Sequence, residues 1–196
     1  MKNTLKWAVG LCLVAVLGLT EPRVAFAEPG VVKACKTLVG AIRYNKDEMA
    51  LTQMAGVSQG EFLAGDFWEK ATPEQQTGFI RNFHALFAAL VFPQVRENFE
   101  HLETVVYGEP VISGNRATIP STIVILHALK KQEIVVTYEL TRGEDKGWQI
   151  HDVTVKGDSS MLTRARDEQV QPLLAKRGWE GLLAAMEARL QKLEKK

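Results

Sequence analysis

Residues 132–157, QEIVVTYELTRGEDKGWQIHDVTVKG, constrain this chain most. From Glu133 to Thr141 the side chains alternate: Ile134, Val136, Tyr138 and Leu140 point one way, Glu133, Thr137, Glu139 and Thr141 the other. That is the period of a strand with one face buried, and its β-branched and aromatic content agrees. A polar, turn-rich stretch, Gly143 to Gly147, leads into a second apolar run at Trp148–Val155. An apolar sheet face must be covered, and the segments on either side have helical periodicity.

Around this pair the sequence predicts four strands, Thr104–Ile112, Ala117–Leu126, Glu133–Thr141 and Trp148–Lys156, joined by short turns into an antiparallel meander. Pro120 in the second strand predicts an edge position or a bulge. In the fourth strand the phase changes. Trp148 and Ile150 face one side, Val153 and Val155 the other, which predicts a bulge or a strand covered on both faces.

Upstream, Val32, Cys35, Leu38, Val39 and Ile42 recur at helical spacing; a short helix is expected around Met49 and Met54, and another over Ser58–Lys70. Thr72-Pro73-Glu74-Gln75 carries the signature of a helix start, with Thr72 as N-cap and Gln75 reaching back. The helix that follows bears a broad stripe of Phe79, Ile80, Phe83, Leu86, Phe87, Leu90 and Val91, and Pro93 kinks or ends it. Downstream, Ser159–Arg177 is helical with an interruption at Pro172. After Gly178, Trp179, Leu182, Leu183, Met186, Leu190 and Leu193 form another apolar stripe. The fold class is therefore α+β: a four-stranded twisted antiparallel sheet covered by N-terminal and C-terminal helices.

The first residues read as an export signal. Lys2 and Lys6 precede an apolar run from Trp7 to about Leu19, and Ala25-Phe26-Ala27 is a small-x-small cleavage pattern. Residues 1–27 are expected to be removed, leaving 28–196 as one exported, soluble domain. Cys12 leaves with the leader and Cys35 remains alone, so no intramolecular disulfide is expected; a buried, inert thiol is the favoured reading. Basic and acidic residues number 24 and 23, a balance that favours neither nucleic acid nor a strongly anionic surface as partner.

Catalytic motifs are missing. There is no phosphate-binding glycine loop, nucleophile elbow or HExxH, and His84, His101, His127 and His151 lack metal-ligand spacing. His151-Asp152 is the most tempting pair, but neighbours on a regular strand point to opposite faces and do not address one site. The apolar residues are plentiful: Met49, Met54, Met161, Met186 and the phenylalanine stripe suit either an ordinary core or a pocket for an apolar guest.

Three stretches resemble one family. The run Trp148-Gln149-Ile150-His151-Asp152-Val153-Thr154-Val155-Lys156-Gly157, following the strand at Ile134, resembles the signature of the MlaC / toluene-tolerance family of periplasmic phospholipid-binding proteins. FWEKATPEQQTGFIRNFHALFAAL (Phe67–Leu90) is similar to that family's Pro-Glu-Gln helix, and LLAKRGWEGLLAAMEARL (Leu173–Leu190) to its closing helices. The chain departs from the pattern after Gly157, where it reads Asp158-Ser159-Ser160-Met161, and at Phe92-Pro93. The resemblance implies a periplasmic carrier with an apolar pocket between sheet and helices. It implies no cofactor and no enzyme activity, with phospholipid as cargo exchanged between an inner-membrane ABC-transporter complex and an outer-membrane lipoprotein complex to maintain outer-membrane lipid asymmetry. On this reading the pocket is lined by Phe83, Phe87 and Leu90 on the long helix, Ile123, Ile125, Val136, Tyr138 and Leu140 on the sheet, and Leu174, Leu183 and Met186 behind them. The alternatives are a carrier of another apolar lipid such as a hopanoid, an enzyme on a related cone-shaped α+β fold, and a solid-cored adaptor.

Overall fold

The structure, a computed structural model, describes residues 29–128, 130–143 and 147–195. The expected leader, 1–27, lies outside them, as do Leu129 and residues 144–146 of two expected turns.

Helices come first. α1 (Pro29–Arg43), α2 (Asp47–Thr52) and α3 (Gly56–Ala64) lead through a 3-10 turn (Gly65–Lys70) into α4 (Pro73–Leu90) and α5 (Phe92–Phe99). The start of α4 is the predicted capping box: the Gln75 amide N–H donates to Thr72 Oγ1 and the Thr72 N–H donates to Gln75 Oε1. Pro93 sits in the first turn of α5, where its missing N–H costs nothing, so α4 ends and α5 begins at Val91.

The strands are β1 (Leu102–Tyr107), β2 (Val111–Ser113), β3 (Arg116–His127), β4 (Lys130–Gly143) and β5 (Gly147–Val155), all paired antiparallel in the order β1-β3-β4-β5 with β2 also on β3. The expected first strand is thus two, broken at Gly108-Glu109-Pro110. Pro120 explains the break. It lies in the interior strand β3, in unbroken register with β4 opposite Thr137, so it marks neither an edge nor a bulge. Its carbonyl accepts from Gly108 N at 2.8 Å, so its own nitrogen, which has no proton, also faces the gap between β1 and β2. A Cβ on Gly108 would come within 2.9 Å of the Pro120 ring, so the bare backbone and the proline fit only together.

The phase change in the last strand is a bulge. Glu139 pairs with Asp152 and Leu140 with Ile150, which leaves His151 as the extra residue on β5. The outer edge of β5 is closed by the link between α2 and α3: Ala55 N donates to the Ile150 carbonyl at 2.8 Å, and Ile150 N to the Gln53 carbonyl at 2.7 Å.

After β5 the chain forms α6 (Met161–Ala165), a π-helical turn (Arg166–Val170) and α7 (Gln171–Glu194). Pro172 opens α7, and the interruption expected there is the π turn just before it. Within α7, Gly178 adopts φ 64°, the left-handed conformation that glycine alone adopts without strain, and this divides the helix as predicted.

Two apolar clusters result. One joins α1 and α5 to the sheet, with Val31, Cys35, Ile119, Leu140 and Ile150 at its centre. The other joins α3, α4, the π turn and α7 around Phe79, Trp68 and Trp179, whose rings meet edge to face at 5.6–6.4 Å. Trp179 Nε1 donates to the Phe67 carbonyl at 3.2 Å. Gly60 lets this second cluster close, since a Cβ there would lie 2.5 Å from the Trp68 ring. Gly60→Ala should lower the unfolding free energy by about 1–3 kcal/mol through overpacking. Gly78→Ala, where the new methyl meets Leu183 at an ordinary 3.8 Å, should raise it by about 0.5–1 kcal/mol. Urea denaturation of the two variants checks both signs.

Candidate functional site

The two clusters do not fill the space between sheet and helices. A cavity of about 210 Å³ opens between the inner face of the sheet and α1, α4, α5 and α6. Its sheet wall is Ile123 and Ile125 on β3, Ile134, Val136 and Tyr138 on β4, and Ile150, Val153 and Val155 on β5. Strand alternation puts the β3 and β4 residues on one face. The bulge does the same for β5. Without the extra residue, the face that holds Ile150 would next present Asp152 and Thr154; with it, Val153 and Val155 turn inward.

A second cavity of about 590 Å³ lies between α4, α6 and α7, lined mainly by Phe83, Leu86, Leu90, Leu173, Leu182 and Met186. Phe87, Val91, Met161 and Leu162 line both spaces, so the two adjoin where α4 meets α5. The expected lining residues divide accordingly. Ile123, Ile125, Val136 and Tyr138 line the first cavity, Phe83, Leu90 and Met186 the second, and Phe87 both. Leu140 and Leu174 are 1% and 2% exposed in the centres of the two clusters, and Leu183 packs half-buried against the second; none of the three lines either cavity. Leu140 lies on the cavity-facing side of β4 but beyond Tyr138, where α1 already covers the sheet.

Several lining residues were not expected: α1 contributes Leu38, Val39 and Ile42, and α5 contributes Phe92, Val95 and Phe99. Their helical periodicity signals burial, but no local pattern says that their neighbours across the sheet stand back. His151 and Asp152, neighbours expected to address different faces, bind different partners, Ser58 and Ser160. Both are buried, 6% and 8% exposed, and both border the first cavity.

Each polar group there has a structural partner. His151 Nδ1 and Ser58 Oγ are 3.0 Å apart. Gln59, 2% exposed, donates from Nε2 to the His151 carbonyl at 2.8 Å, and its Oε1 lies 2.9 Å from His84 Nε2. The bulge carbonyl is thereby satisfied from α3, and α3 is tied to α4. Asp152 accepts from Ser160 Oγ and from the Val153 N–H, fixing the start of α6. Ser58 and His151 would be the first two members of a nucleophilic pair, but the carboxylate that would orient the base is engaged with Ser160 instead. Cys35 is fully buried and desolvation pushes its thiol up to about 12, so it is a neutral apolar side chain at physiological pH. Among the described residues no three His, Cys, Asp or Glu side chains gather as a metal site, and no helix is long and apolar enough to cross a membrane.

A profile of the family described as MlaC protein matches residues 51–188, well over half of the 196-residue chain. The chain belongs to the MlaC family. Among solved structures, the phospholipid-binding protein from Ralstonia solanacearum, determined in complex with a phospholipid, superimposes with a TM-score of 0.68 at 19% sequence identity, over 87% of this chain and 99% of that one. The two share a fold. No curated protein sequence matches the chain. The MlaC match begins at Leu51, so it spans α3 to α6, the whole sheet and most of α7, and leaves out α1, which also lines the first cavity.

Burial holds the His84 and His151 imidazoles below the usual histidine range; at His151, Arg116 adds to this while Asp152 and Glu61 oppose it. Both are neutral in the folded protein near neutral pH. As pH falls below about 6.5 the unfolded chain takes up the protons first, so stability is lost from there downward. The urea midpoint should fall between about pH 7 and pH 5, and His84→Gln, which keeps a donor for Gln59, should flatten that slope. An unchanged slope in His84→Gln would mean that His84 protonates freely in the fold.

Proposed function

We propose that the protein is a periplasmic phospholipid carrier that encloses the acyl chains of its cargo between the sheet and the helices. The observation that carries this reading is the pair of adjoining cavities, the first apolar and the second apolar except for charged residues such as Arg164 and Arg189, meeting at Phe87, Val91, Met161 and Leu162. A close-packed interior leaves no such space. At about 24 cal/mol per Å³, an unfilled apolar volume of 210 Å³ costs on the order of 5 kcal/mol, which a hydrocarbon guest offsets.

Two acyl chains carry on the order of 30 methylenes, each worth about 0.8 kcal/mol when removed from water. A carrier must therefore cover the tails and needs few polar anchors. Membership in the MlaC family and the shared fold with a phospholipid-bound protein support phospholipid over another apolar lipid. On this reading the leader at 1–27 delivers residues 28–196 to the periplasm as one domain. There the protein exchanges lipid between an inner-membrane ABC-transporter complex and an outer-membrane lipoprotein complex, and so maintains outer-membrane lipid asymmetry. The protein performs no chemistry on the lipid.

Native mass spectrometry of gently purified protein should show a co-purifying phospholipid. Val91→Trp, which places an indole where the cavities meet, should lower phospholipid occupancy severalfold while circular dichroism shows the fold retained. Lipid-free wild-type protein, or full occupancy in Val91→Trp, would count against the reading.

A further inference from the structure

Resting on the lipid-carrier reading, we infer that the opening of the second cavity is an anion site in which Arg164 and Arg189 hold the phosphodiester of the cargo's headgroup. Both arginines line this cavity and both are solvent-exposed, so they stand at its opening. They come from different elements, Arg164 from α6 and Arg189 from α7. Among the described residues neither forms an ion pair, whereas Arg96 and Arg166 bind carboxylates.

The first cavity has a different opening. Its exposed lining residues include Asn98 and Val155, and its ionisable liners His151, Asp152 and Tyr138 are buried. The two ends of the combined space are therefore electrostatically unlike, and an amphiphile has one favourable orientation. Its tails run past Phe87 and Met161 toward the sheet, and its phosphate stays at the arginine end.

A guanidinium presents a fork of donors that matches two phosphate oxygens. Glu168 lines the same opening, so two cations and one anion leave one net positive charge, the complement of a single phosphodiester.

The test uses the full protein stripped of lipid and incubated with vesicles holding equal minor amounts of dioleoyl phosphatidylglycerol and dioleoylglycerol. Native mass spectrometry counts the loaded species. Wild type should prefer the phospholipid by about tenfold, and the preference should shrink as salt is raised, because an exposed pair is screened. Arg164→Gln/Arg189→Gln should load dioleoylglycerol as wild type does while the preference collapses toward parity, and Arg164→Lys/Arg189→Lys should restore part of it.

A double glutamine variant that keeps the full preference overturns the inference. So does wild type that loads both lipids equally, an outcome that leaves the carrier reading standing. Calorimetric binding of inorganic phosphate alone, lost in the glutamine variant and accompanied by no lipid preference, would reassign the pair to a free anion. Wild type that loads neither lipid refutes the carrier reading and this inference with it.

Discussion

One extra residue in the last strand organises the site. Because His151 is inserted opposite the Glu139–Leu140 step, β5 presents Ile150, Val153 and Val155 to the same interior, although strict alternation would bring Asp152 and Thr154 there in place of the two valines. A bulge leaves backbone groups unpaired, and an unpaired buried carbonyl costs about as much as a lost hydrogen bond. Here Gln59 supplies the partner and His84 holds Gln59, so the sheet's irregularity is bonded to two helices. The bulge thus turns the β5 valines inward and ties the helices that face them to the sheet.

The same arrangement accounts for the cavity. Hydrophobic side chains normally collapse until a core is close-packed. In this fold the helices are anchored at the ends of the space: α1 packs on the sheet through the first cluster, while α4 and α7 pack on each other through Trp68, Phe79 and Trp179. After the helix boundary at Val91, α5 packs Phe92 and Phe99 into the cluster that includes the sheet. Between these anchored contacts the apolar faces stand apart, and on the carrier reading a chain of methylenes fills the gap. Polar side chains at its border are engaged with partners, as Asp152 is with Ser160.

Much of this was legible in the sequence because it rests on local rules. The capping box at Thr72, the helix break at Gly178, the alternation of β4 and the phase change near Asp152 each follow from a few adjacent residues. What was not legible depends on distant contacts. The division of the first strand arises from the fit of Gly108 against Pro120, which are twelve positions apart in the chain and adjacent only across the ladder. Leu140 and Leu174 have the same apolar character as Val136 and Met186; which of them meets a cavity depends on where α1 and α7 come to rest. Composition marks a residue as buried without saying whether its neighbour is protein or guest.

The central claim is that acyl chains lie against the inner face of the sheet. Isotope-edited NMR of the protein loaded with a phospholipid carrying labelled acyl chains tests this directly. The account predicts intermolecular contacts from the chain methylenes to the methyl groups of Ile123, Ile125, Val136 and Met161. Contacts confined to the exposed Val106, Val111 and Leu126, with none inside, would contradict it.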